Sequence, residues 1–252
     1  FDITGRQENR NYPTRSASTI FAMTMRSYPT FNAYWPNGLP GPDIAEGLNP
    51  VAISTSMTGY DKSKTYVFES GLKLNITIPW VQGLSVTGNV ALDKTLENDK
   101  EWETPWYLYN WDGTSYDESN QPLLIKGKKG LSAPQLTQES YDSQRMTLNA
   151  LVNYERTFNN QHFFKILVGT ERIAGESSRF SAFRKYFVSS AVDQLFAGGD
   201  LDKTNTGSAG ISRRLNYFGR ANYSFLQKYL VEFVWRLDGS YIFPSAKRFG
   251  FF

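Results

Sequence analysis

The chain has no cysteine, which rules out a disulfide framework and any thiolate-held metal. No apolar run approaches the roughly 18 residues of a membrane helix. The nearest, Ile20 to Met25, is short and interrupted by Thr24. Charge of one sign is also scarce. The net charge of +3 is scattered, with no basic run interleaved with aromatics, and this excludes nucleic acid as a partner. Mean hydropathy is −0.45, a value that looks soluble. Average hydropathy does not exclude a membrane β-barrel, whose apolar residues are spread out by alternation. What the chain has in excess is aromatic: 15 Tyr, 18 Phe and 6 Trp, residues favoured at membrane interfaces and on sugar-binding surfaces.

These aromatics ring the short turns of a repeated pattern, an alternating strand, a turn and a second alternating strand. In the clearest copy, Tyr66, Phe68, Leu72, Leu74, Ile76 and Ile78 occupy even positions, and Thr65, Glu69, Lys73, Asn75 and Thr77 odd ones. After Pro79 to Gly83, Leu84, Val86, Val90 and Leu92 resume against Ser85, Thr87, Asn89 and Asp93. Side chains alternate across a strand, so each segment has one apolar and one polar face. A tilted strand needs roughly 9–11 residues to cross a bilayer, more than the usual soluble strand. The expected organisation is hairpin 64–94, hairpin 143–172 (where Leu151 breaks the pattern) and hairpin 213–240. Between them lie irregular stretches 1–62, 95–138 and 173–212, then a loop and a further strand in 241–252, with a short helix near Ser18 to Met25. Short turns carry Trp80, then Tyr154, Phe158, Phe163 and Phe164, then Tyr223, Phe225 and Tyr229. Long connections alternating with short aromatic turns predict an all-β fold, a transmembrane antiparallel β-barrel with long extracellular loops and short periplasmic turns. The polar row Glu69, Lys73, Asn149, Asn153, Glu155, Arg220, Asn222, Glu232 and Arg236 is expected to face the lumen, and Phe233 and Trp235 the lipid. The chain starts at Phe1 without a signal peptide and stops within a strand at Phe252, so a piece of a larger protein is expected.

The segments Leu215-Asn-Tyr-Phe-Gly-Arg-Ala-Asn-Tyr223, Lys228-Tyr-Leu230, Arg236-Leu-Asp-Gly-Ser240 and Lys247-Arg-Phe-Gly-Phe-Phe252 resemble the SusC/RagA-type TonB-dependent outer-membrane transporters. Asn49-Pro-Val-Ala-Ile53 and Asp193-Gln-Leu195 look like that family's loop signatures. The resemblance implies part of a barrel of roughly 22 strands plugged by an N-terminal domain. Plug, TonB box and carboxypeptidase-like domain have no counterpart among these residues. It further implies active import of oligosaccharides or peptides across the outer membrane of a Gram-negative bacterium, with a SusD-like lipoprotein as lid and TonB–ExbB–ExbD supplying energy. Lipid bilayer and lipopolysaccharide would surround the wall.

Catalysis is not expected, since the only histidine, His162, lies in a short turn and no cysteine nucleophile exists. No cofactor is expected either. The loop Asp200-Leu-Asp-Lys-Thr-Asn-Thr-Gly-Ser208 has an acidic look, but the sixth and twelfth positions of a calcium loop fall on Asn205 and Ile211, so no metal is expected. The acidic run Glu97, Asp99, Glu101 and Glu103 reads as a hydrated loop tip. Trp102, Trp106, Tyr107, Tyr109 and Trp111, with Trp35 beside Tyr34 as a smaller group, are the candidates for contact with substrate or lid. Packing of the loop by these rings onto its neighbours or onto the lid protein is the competing reading. Two other classes of function compete with active import. A passive porin or structural barrel would lack a plug, and a soluble carbohydrate-binding β-sandwich would need no detergent.

Overall fold

The computed structural model describes residues 1–252. Strands β1 (Asp2–Tyr12), β2 (Gly59–Thr77), β3 (Leu84–Glu103), β6 (Gln135–Phe158), β7 (His162–Lys185), β8 (Thr204–Phe225), β9 (Tyr229–Ser240) and β10 (Phe249–Phe251) form one antiparallel sheet in that order. A separate hairpin, β4 (Trp106–Asn110) with β5 (Ile125–Lys129), stands in the connection between β3 and β6. Helices α1 (Ala17–Arg26) and α2 (Pro50–Ile53) lie between β1 and β2.

The register runs without a bulge through every long pair, so each row of opposed residues keeps to one face from end to end. One face carries the rows Leu84–Tyr154–Ile166–Ala221–Phe233 and Ile76–Val86–Val152–Val168–Gly219–Trp235. Above them come rows through Leu74, Leu72 and finally Leu92–Met146–Ala174. The belt thus spans Leu84 to Leu92 of β3, the length a tilted strand needs to cross hydrocarbon. Arg172 stands near its upper margin, where a long side chain carries its charge toward water. The expected polar row lies entirely on the other face: Arg236 opposes Phe218, and Glu232 opposes Asn222. On the belt face Leu72, Leu74, Ile76, Val90, Val152 and Val168 are exposed, while on the polar face Thr87 and Asn216 are buried and Leu151 is half-buried. A sheet curled with its polar face inward produces this pattern.

Short turns close one end of the sheet. Asn159 and Asn160 have φ of 50° and 54°, and Leu226 and Gln227 have 52° and 55°; two consecutive positive values define a type I′ turn, whose twist suits a hairpin. Around them Phe158 and Phe164 pack edge to face, Phe164 lies 4.8 Å from Tyr223, and His162 Nδ1 is 2.8 Å from the Tyr223 hydroxyl.

The irregular stretches are shorter than expected. Residues 1–62 contain β1 and both helices, with the start of β2; β3 runs on to Glu103, β6 begins at Gln135, β7 continues to Lys185 and β8 begins at Thr204. The reason is physical. Beyond the belt both faces of a strand meet water, so the hydrogen-bonded ladder continues after the apolar alternation has stopped. Leu151, which breaks the alternation, lies over Gly169 beside Phe218 on the polar face, and a Cβ at 169 would overlap both.

Candidate functional site

The long connections gather at the end of the sheet opposite the short turns, and there the chain builds its only cores. Ser16 caps α1 by accepting from the Thr19 N–H, and the helix turns Ile20 and Met23 inward. Asn49 caps α2, accepting from Val51 N–H at 2.9 Å while its amide donates to Pro42 O at 2.8 Å; Pro50 takes the first helical position. Ala52 and Ile53 then fall fully buried against Met23, Trp106 and Leu108. The Asn-Pro-Val-Ala-Ile signature is therefore a capped turn that delivers two core residues.

The aromatic candidates divide sharply. Trp106 is buried: its indole donates to Gly47 O at 3.0 Å, the Arg15 guanidinium lies over its ring at 5.6 Å, and Gly130 (φ 71°) leaves no room there for a Cβ. Trp35 is buried too and donates to Tyr109 O at 2.8 Å. Trp102, expected in a loop, belongs to β3 and packs edge to face on Phe187 at 4.7 Å, with Leu136 beneath. These three rings hold the chain's own loops together and present no face to a partner. Tyr107 points away from the core with Lys126 Nζ 4.0 Å from its ring centroid, and Tyr109 is half-buried. Trp111 is half-covered, 5.3 Å from the exposed Tyr116, and its indole donates to Ser115 O at 2.6 Å. The exposed rings are thus Tyr107 and Tyr116, with Tyr34 beside the buried Trp35, while Trp111 and Tyr109 are half-covered. Strand alternation carried the signal that separates them, with Trp106 and Leu108 inward and Tyr107 outward. It was hidden because the segment lacked a sustained pattern.

Asp112 shapes this surface. Its carboxylate accepts from the Ser115 hydroxyl and from the Ser115 and Thr114 N–H groups, both at 2.8 Å, which lowers its pKa to about 2. The second loop signature also finds a role. Asp193 accepts from the Tyr60 hydroxyl and faces Lys100 at 3.0 Å, while Leu195 packs beside Trp102 and Phe187. Burial alone would raise the Asp193 pKa, but the Tyr60 and Lys100 contacts outweigh it and leave it lowered. Asp200, considered above for calcium, is engaged by Arg184 at 2.7 Å and Lys203 at 3.0 Å, and these cations lower its pKa.

Below the loops, the inner face is lined by polar and paired groups: Lys165 with Glu155 at 2.9 Å, Arg236 with Asp238 at 2.6 Å, and Asn216 donating to Glu171 at 3.1 Å. Nearer the loops it becomes acidic, with Asp61, Glu97, Asp99, Glu101 and Glu139 around a hollow of about 330 Å³. Such a surface suits contact with water, solute or a protein domain inside a pore.

No protein-family model matches the chain, and no curated protein matches it in sequence. Solved structures do. The RagAB peptide importer in its closed-closed state aligns over 99% of this chain with a TM-score of 0.70 and 19% identity. The open-open state gives 0.66 and 18% over the same share. A further structure of the RagAB peptide transporter covers 76% of the chain at 0.62 and 20%. This chain folds as those transporter chains do. It spans 26% of the length of the first two and 19% of the third. Its fold class is that of a transmembrane antiparallel β-barrel, of which eight consecutive wall strands are seen.

Proposed function

We propose that the chain forms part of the wall and outer loops of an outer-membrane importer of the TonB-dependent kind. The observation that carries the reading is the bulge-free register that puts an apolar belt on one face and polar, paired side chains on the other. The likeness to RagAB chains supports peptides as solute and a SusD-like lipoprotein as partner. Energy would come from TonB–ExbB–ExbD acting through a plug, and the wall would contribute shape and charge with no covalent chemistry. Tyr107 and Tyr116, with the half-covered Trp111 beside Tyr116, would meet solute or lid, a reading their exposure supports. The same open rings support oligosaccharide as a second reading, since sugar faces stack on aromatics.

The test is uptake by whole cells with the gene intact or deleted, using fluorescent oligopeptides and oligosaccharides, with and without an uncoupler. Peptide uptake that needs both the gene and the proton-motive force is the expected result. Gene-dependent uptake that survives the uncoupler would replace this reading with a passive pore. Recovery of the protein from a detergent-free extract would end it.

A further inference from the structure

The small hairpin β4–β5 has two unlike faces. Trp106 and Leu108 turn into the core, and Lys129, opposite Trp106, reaches Asp43 at 2.6 Å on that side. Alternation puts Tyr107, Tyr109, Lys126 and Lys128 on the other face, with Tyr107 opposite Lys128 and Tyr109 opposite Lys126. Both lysines are exposed, and neither forms an ion pair. Lys126 Nζ rests over the Tyr107 ring, and Lys128 Nζ donates to Ser132 O at 2.7 Å. The acids of the same connection are engaged elsewhere. Asp112 holds its own turn with Thr114 and Ser115, and Asp117 accepts from the N–H groups of Ser119 and Gln121. The outward face therefore carries positive charge with no counter-ion from the chain.

The hairpin is also an unfinished sheet. β5 has β4 on one side, and no backbone hydrogen bond reaches it from any other segment. The far edge of β4 is already in use, since Tyr109 O accepts from the Trp35 indole. An unpaired edge binds an extended chain through its main-chain groups, whatever the sequence, and side chains along the edge then choose among sequences. Here the choosers are two lysines placed two residues apart. In an added strand every second side chain falls on one face, at a spacing of about 6.5 Å, the same as that between Lys126 and Lys128 along β5. Carboxylates at alternate positions would thus match both lysines at once. The ring contact is a weak hold on an exposed lysine, so Lys126 can exchange it for a carboxylate.

We propose that the free edge of β5 takes up an acidic peptide solute as a third strand, with alternate carboxylates on Lys126 and Lys128. The inference rests on the peptide-importer reading above. The intact protein, purified in detergent, is titrated with two fluorescent hexapeptides of one composition and followed by anisotropy. One has glutamate at every second position with threonine between; the other has its glutamates together and its threonines together. The alternating peptide should bind roughly fivefold more tightly, and N-methylation of its backbone amides should abolish binding. Lys126→Gln with Lys128→Gln should weaken it roughly fivefold, as expected for two exposed ion pairs. The Lys→Arg pair should retain it. Lys62→Gln with Lys64→Gln, the same change of charge at exposed sites on the wall, should leave it unchanged. Equal binding of the two isomers, binding that survives N-methylation, or unchanged affinity in the Lys126/Lys128 Gln pair would each overturn the proposal. Self-association of that Gln pair at unchanged affinity would overturn it too, by showing that the lysines serve only to guard the edge against other copies. Uptake by whole cells separates the two failures. Gene-dependent, energy-dependent peptide uptake that ignores the lysine changes refutes only the edge site. Binding at the edge without gene-dependent peptide uptake refutes the importer reading instead.

Discussion

The belt and the rim of this sheet share one continuous backbone ladder but are stabilised by opposite means. Every buried apolar side chain of the core belongs to the rim: Met23, Trp35, Ala52, Ile53, Trp102, Trp106, Leu108, Leu136 and Phe187. The belt has none, and its Leu, Val and Phe side chains stand open on one face. In the rim, water drives apolar groups into small cores and leaves polar groups outside. In the belt the surroundings take the place of the core, so the apolar groups turn outward and polar groups pair on the inside. A side chain's role is therefore set by its height on the strand as much as by its type. Trp102 on β3 packs a core, while Trp235 on β9 belongs to the belt face.

Substitutions at the two levels can break this comparison. The largest effect is expected from Trp106→Ala, about 3–5 kcal/mol of local stability from loss of a buried indole. Hydrogen exchange should rise across 15–58 and 104–130 and stay unchanged in the belt; loss of protection in the belt as well would mean that the two levels fold as one unit. Next is Val168→Arg, expected to cost about 2–4 kcal/mol at mid-belt, with Asn153→Arg on the inner face close to neutral. Heat-modifiable gel mobility and unfolding in lipid vesicles would measure both, and equal costs would remove the distinction between the faces. A smaller gain is expected at the closed end. Leu226 and Gln227 hold positive φ without the side chains that favour it, so Leu226→Asn with Gln227→Gly should stabilise the hairpin by about 1–2 kcal/mol.

The smallest effect concerns Asp112 and is read as pH dependence. Because its pKa is depressed in the folded loop, its contribution is present above the ordinary carboxylate range and is lost as pH falls toward about 2. Fluorescence of Trp111 should report loosening over that window, and Asp112→Asn should abolish the pH dependence.

How much of this was legible in the sequence follows the same division. Leu84 to Leu92 could be read directly, because lipid on one side and polar surroundings on the other force strict alternation. Strand β1 could not. Asp-Ile-Thr-Gly-Arg-Gln-Glu-Asn-Arg-Asn-Tyr offers no apolar face, and only its pairing with β2 identifies it. The upper halves of β3, β6, β7 and β8 escaped for the same reason, and with them the strand position of Trp102. The aromatic cluster stood out as composition, but its division into buried Trp35, Trp102 and Trp106 and open Tyr107 depends on contacts with α1, α2 and the 186–203 loop, which lie far away in sequence. Asp193 was marked by resemblance alone; its hold on Tyr60 and Lys100 is a long-range contact that no local pattern encodes.

The unbroken register has an evolutionary corollary. Adding or deleting one residue inside any long strand would turn every later side chain of that strand inside out, presenting charges to lipid and hydrocarbon to the pore. Length variation among related walls should therefore come in steps of two within the strands and be unrestricted by parity in the outer connections. Aligned relatives would display this arithmetic as a ban on odd gaps between Leu84 and Leu92.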